Sequence, residues 1–127
     1  MAAHFFNQNY STIHGFVNMD LENTQIQMRK GILEFCILSI ISRGEVYASD
    51  MLDELTGARL MAAEGTLYPL LTRLRKAELL DYKWVESLTG PPRKYYTITE
   101  KGQDFLNQLR TTWFELVNST NQIVQKN

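Results

Sequence analysis

A chain of 127 residues, 44% hydrophobic and 21% charged, is sized for one domain around a single core. Its formal net charge of −1 excludes a protein that coats nucleic acid indiscriminately, and leaves room only for a local basic face. The single cysteine, Cys36, excludes an internal disulfide and suits a reducing, cytoplasmic setting.

Residues 1–23 are polar, Asn-rich and free of Lys and Arg. They read as a weakly ordered extension, or as an arm that docks on a partner subunit. His4 and His14 lack Cys or carboxylate companions at ligand spacing, so no metal is expected. The stretch has neither the cationic start nor the long apolar core of a secretory signal.

Thr24 to Ser42 reads as the first helix. Met28, Ile32, Phe35, Cys36, Ile40 and Ile41 keep helical spacing, and Leu33, Ile37 and Leu38 widen the apolar face until it covers most of the surface. Glu34 and Ser39 interrupt the run, which is too short to span a bilayer. Gly44 is expected to end the helix in a left-handed cap.

Tyr47 to Thr56 reads as the second helix, begun by Ala48 or Ser49 and stopped by Gly57, with Met51, Leu52 and Leu55 facing inward. Arg59-Leu60-Met61 leaves room for a short extended piece. Then comes Ala63 to Leu80, a helix with two faces. Leu67, Leu70, Leu71 and Leu74 form a buried stripe at i, i+3, i+4 and i+7. Glu64, Thr66, Tyr68, Thr72, Arg73, Arg75 and Lys76 fall largely off it. A helix with an apolar back and a hydroxyl-rich, basic front fits the DNA major groove, although an ordinary solvated surface helix has the same pattern. Two helices joined by a short Gly-containing turn make a helix-turn-helix. Pro69 breaks the local rule for a helix interior. The regular helix therefore starts near Tyr68, or its first turn is bent.

Leu80 to Glu86 and Arg93 to Thr99 read as strands around the turn cluster Ser-Leu-Thr-Gly-Pro-Pro. A hairpin directly after such a helix is a wing, with Arg93 and Lys94 at its tip placed to meet phosphates or a minor groove. Thr99 or Glu100 to Gln125 is the last helix. Leu106, Leu109, Trp113, Leu116, Thr120 and Ile123 alternate steps of three and four, a heptad seam that calls for a partner helix. Isologous pairing of that helix would give a two-fold homodimer. Gly90 and Gly102 read as isolated turn residues. No Cys/His pair, carboxylate dyad or phosphate-binding glycine loop stands at working spacing, so neither catalysis nor a cofactor is expected.

In this order and spacing, Glu64-Gly65-Thr66-Leu67-Tyr68-Pro69-Leu70-Leu71 with Arg73-Leu74, then Trp84, then Gly90-Pro91-Pro92-Arg93-Lys94-Tyr95-Tyr96 with Thr99 and Gly102, resemble the PadR family of winged-helix transcription regulators, in its small subclass with one C-terminal helix. The likeness runs from about Gln27 to Gln125. It implies a mostly α (α+β) fold: a winged helix-turn-helix over 24–99 and a dimerisation helix over 100–127. It implies a homodimeric regulator of double-stranded DNA, typically a repressor that leaves a palindromic operator when a small molecule binds. DNA contacts carry over to Thr66, Tyr68, Arg73, Lys76, Arg93 and Lys94. A small aromatic effector would sit at Trp113 with Phe35 and Leu109. Dimer contacts fall to Leu106, Leu109, Trp113, Leu116 and Ile123. The tip Gly-Pro-Pro-Arg-Lys departs from the two glycines and two arginines usual in the drug-sensing branch. The alternative use of the same fold is a protein-interaction module without an operator.

Overall fold

The computed structural model describes residues 20–61 and 64–126. The described residues fall into two units, divided between Ile32 and Leu33. The expectations for residues 1–19, including His4 and His14, lie outside the described residues.

In the first unit, helix α1 spans Leu21–Lys30. Asp20 caps it, its side chain accepting from the Asn23 amide at 2.7 Å. Glu22 in the first turn and Arg29 and Lys30 in the last match the helix dipole. The sequence predicts one helix from Thr24 to Ser42. Instead the helix starts earlier, at a cap, and breaks at Gly31. The Ile32 amide donates to the Arg29 carbonyl at 3.1 Å, a three-residue closure in place of the four-residue ladder.

The second unit begins with α2, Leu33–Ser42, then strand β1, Val46–Tyr47, and α3, Ala48–Gly57. A 3-10 turn at Glu64–Thr66 leads into α4, Leu67–Lys76. Strands β2, Leu80–Val85, and β3, Arg93–Ile98, follow, and α5, Glu100–Val124, completes the chain. The sheet is antiparallel in the order β1-β3-β2, with Leu80 opposite Ile98, Trp84 opposite Lys94 and Val46 opposite Tyr96. The third strand was not expected: Tyr47 reads as a helix start, yet it pairs with Tyr95 and stacks on its ring at 3.8 Å.

The core is built from the apolar stripes the periodicity marks. Ile37, Leu38 and Ile41 of α2, Met51 and Leu55 of α3, Leu67 and Leu71 of α4, Leu80 of β2 and Leu106 of α5 are fully buried. Each such side chain contributes roughly 1.5–3 kcal/mol. Gly44 has a positive φ of 146°, which favours glycine but lies far from the left-handed helical region, so α2 ends without the expected left-handed cap, the Gly44 amide closing on the Ile41 carbonyl at 3.1 Å. The left-handed residue after α3, however, is Arg59 (φ 62°), not Gly57, which lies inside the helix. The Leu60 amide donates to the Leu55 carbonyl at 2.9 Å and that of Arg59 to Thr56 at 3.0 Å, a Schellman ending. The expected extended piece at Arg59–Met61 is therefore absent. The same ending recurs after α4, with Glu78 at φ 65° and bonds from Leu79 to Leu74 and from Glu78 to Arg75.

Thr99 ties three elements together. Its amide donates to the Leu79 carbonyl at 3.2 Å, its hydroxyl donates to the Glu78 carbonyl at 2.7 Å, and that hydroxyl accepts from the Gly102 amide at 2.9 Å. Gly102 is not a turn residue but part of the first turn of α5. A Cβ there would lie 1.8 Å from the Leu79 carbonyl oxygen. No helix among the described residues is long and apolar enough to cross a membrane.

Candidate nucleic-acid interface

Pro69 is accommodated by both devices the sequence allows. The chain enters through a 3-10 turn, and the regular helix starts at Leu67, which puts Pro69 in its first turn, where amides have no helical acceptor. Leu67, Leu71 and Leu74 anchor the back of α4 in the core. At 100° per residue, Tyr68, Thr72 and Lys76 then line up along the front. Tyr68 is 46% exposed, and Thr72 and Lys76 are exposed. Thr66, at the helix start, makes no side-chain cap hydrogen bond, so its hydroxyl is not committed to the backbone.

The cations divide by partner. Arg73 is turned to one flank of α4 and pairs with Glu34 of α2 at 3.1 Å. Arg75, on the other flank, pairs with Asp81 at 3.5 Å and lies over the Tyr82 ring at 4.6 Å. Lys83 pairs with Glu45 at 2.7 Å. Among the described residues, no carboxylate lies within 4.0 Å of Lys76, Arg93 or Lys94. On the face made by α4 and the wing, these three hold the charge left over for a polyanion.

The wing matches the expected strand bounds: Arg93 and Lys94 open the returning strand as the first two positions of β3, opposite Val85 and Trp84 and next to the tip loop, residues 86–92. Consecutive strand residues point to opposite faces. Arg93 lies over the Tyr47 ring at 4.8 Å, and the Lys94 ammonium lies 4.3 Å from the centre of Tyr82 and 5.2 Å from that of Trp84. Tyr47, Ser49, Tyr68, Arg93, Lys94 and Tyr96 nevertheless line one open groove of about 470 Å³. The wing, the start of α3 and the start of α4 thus share one face. Burial raises the Tyr96 phenol above its ordinary pKa, with Tyr68 and Tyr82 adding to the shift and Arg75 opposing it. The Tyr95 phenol is also raised, first by the neighbouring Tyr47 phenol on which it stacks.

Of the side chains expected to read DNA, Thr66, Tyr68 and Lys76 of the α4 segment and Arg93 and Lys94 of the wing are exposed or half-exposed and free of acids, whereas Arg73 is held by Glu34. Thr72 lies on the same exposed stripe, and Tyr47 and Tyr82 lie beneath the wing cations, though the sequence reading named none of them as a DNA contact. The i, i+4, i+8 spacing of Tyr68, Thr72 and Lys76 is the signal that identifies Thr72. Tyr47 and Tyr82 join through tertiary packing, which no local pattern encodes.

The candidate effector residues come together. Phe35 of α2 and Trp113 of α5 stand 6.0 Å apart, tilted by 37°, and Leu109 packs on the core beside them. The heptad seam of α5 is divided along its length. Leu106 is fully buried within its own chain and cannot meet a partner, a correction to its place among the dimer contacts. Leu109 and Trp113 are half-buried, while Leu116 and Ile123 are 53% and 76% exposed. Among the described residues no cluster of three His, Cys, Asp or Glu could hold a metal ion.

Comparison with known proteins matches the family model described as the transcriptional regulator PadR-like family to residues 37–108. A solved PadR-like transcription factor from Bacteroides fragilis is 53% identical, with 80% of this chain and 98% of that one covered and a TM-score of 0.66. A PadR-like transcriptional regulator from Bacillus cereus is 38% identical, covers 80% and 99%, and superposes at 0.72. Bacillus subtilis PadR, solved with operator DNA, shares the fold at 23% identity and a TM-score of 0.56 over 61% of this chain and 46% of that one.

Proposed function

Because this chain belongs to the PadR-like family of transcriptional regulators, we propose that it binds an operator as a dimer and represses transcription until a small aromatic molecule releases it. The observation that carries the DNA-binding part is the face described above. A polar stripe of Tyr68, Thr72 and Lys76 stands beside a wing whose Arg93 and Lys94 have no acidic partner among the described residues. The polar stripe reads base edges in the major groove, and the wing cations neutralise phosphates and fix register. The operator complex of Bacillus subtilis PadR supports the same mode of use for this fold.

In this reading residues 24–99 contact DNA and residues 100–127 pair the subunits. The exposed distal half of the α5 seam supports the pairing, since Leu116 and Ile123 find no cover in one copy. Two-fold pairing sets the two α4 helices one DNA turn apart, roughly 34 Å. The adjacent rings of Phe35 and Trp113 support an aromatic effector, whose binding must favour one dimer spacing over another.

The test is a binding titration on the intergenic DNA beside the gene, run across a salt series. Wild type should bind an inverted repeat there, with log affinity falling linearly with log salt. The Arg93→Ala/Lys94→Ala variant should bind less tightly, with a slope shallower by about two phosphates' worth. A chain that binds every fragment alike has no operator, and one that binds no fragment is instead a protein-interaction module.

A further inference from the structure

Trp84 is 62% exposed, on a sheet face whose other residues are progressively covered. Leu80 and Ile98 at the base of that face, and Tyr82 and Tyr96 in its middle, are buried or half-buried. Trp84 and Lys94 form its outermost pair, one position short of the tip. A flat indole at the rim costs solvation without joining the core: it packs edge-on against Tyr82 at 6.3 Å and 89°, with the Lys94 ammonium 5.2 Å from its centre. Lys94 lies over both rings and also lines the groove that contains Tyr68 of α4. Arg75 of α4 also lies over the Tyr82 ring, 4.6 Å from its centre. An unbroken row, Arg75–Tyr82–Lys94–Trp84, therefore runs from the reading helix to the wing rim.

We infer that Trp84 is a DNA-contact residue: its ring lies against the deoxyribose wall of the groove that the wing enters, with Lys94 beside it on the adjoining phosphate. The inference rests on the DNA-binding reading above. Charge complementarity selects the occupant. The neighbouring Lys94 has no acidic partner among the described residues, so the apolar ring is paired with an uncommitted cation. Sugar and phosphate present that combination side by side at every nucleotide. An apolar contact of this kind is sequence-tolerant and releases no counterion, which separates it from the contribution of Lys94.

The experiment compares the full wild-type chain, whose tryptophan emission comes from Trp84 and Trp113, with Trp84→Phe, whose emission comes from Trp113 alone, so that the difference reports Trp84. Duplexes of about 30 base pairs, three helical turns, are taken from the gene's own upstream region and from mixed sequence. Both should change the Trp84 emission on binding. Trp84→Ala should weaken binding to both duplexes by about tenfold with the salt slope unchanged, and Trp84→Phe should recover most of the loss. Lys94→Gln should instead lower the slope by about one phosphate. If the chain binds DNA but Trp84→Ala binds as tightly as wild type and the Trp84 emission does not change, the inference falls and the DNA-binding reading stands. If the unaltered chain binds neither duplex, both fall.

Discussion

Arg59 and Glu78 each occupy the left-handed position that closes a helix, at a cost of about 1 kcal/mol for a residue with a Cβ. Replacing either with glycine should raise stability by ~0.5–1 kcal/mol, read as a higher urea midpoint at unchanged m-value. Gly102 is the opposite case. Its neighbour at 1.8 Å is backbone, which cannot step aside, so Gly102→Ala should cost at least about 3 kcal/mol or abolish folding, as circular dichroism would show. Tyr96 gives the pH dependence its sign. Its pKa in the fold is raised by burial, so the fold binds the phenolic proton more tightly than the unfolded chain does. Its contribution is complete below about pH 10, the ordinary tyrosine value, and is lost as pH climbs through the raised one. Alkaline unfolding should therefore steepen above about pH 10, less so in Tyr96→Phe. The Glu34–Arg73 pair yields a functional prediction. Glu34→Gln releases Arg73, so binding to any duplex should tighten and its salt slope should increase by about one phosphate.

Among the elements, α3, α4, the hairpin and α5 were legible because each carries its own signal: an apolar stripe, a run of β-formers around Gly-Pro-Pro, a threonine cap. The break between α1 and α2 was not. The apolar spacing continues across Gly31, and hydrophobic period alone does not register the Asp20 cap that starts the helix early. Strand β1 was missed because two residues make no period, and its pairing partner lies about fifty residues away. The same limit separates the parts of the candidate interface. Residues on α4 could be assigned from the helix alone. The arginines could not, because whether Arg73 or Arg75 is free depends on Glu34 and Asp81, acids that tertiary packing supplies. The rings beneath Arg93 and Lys94 come from β1 and β2, and only the completed sheet brings them there.

At the scale of the molecule, α5 begins inside the core at Leu106 and ends with apolar side chains facing solvent. Ile123→Asp together with Leu116→Asp should leave the fold intact, since neither is packed, yet shift sedimentation toward a single chain at micromolar strength. The root of the same helix is pinned by Thr99 to the carbonyls of Glu78 and Leu79, the residues that close α4. A helix of 25 residues is about 37 Å long. With its root fixed, α5 is a lever whose fulcrum abuts the helix that would lie in the groove. A tilt of about 5° at the fulcrum displaces the far end by about 3 Å, and a displacement imposed at the far end comes back as a rotation of α4. In the proposed dimer, small repacking along the shaft would thus be enough to spoil the fit to two successive turns of duplex.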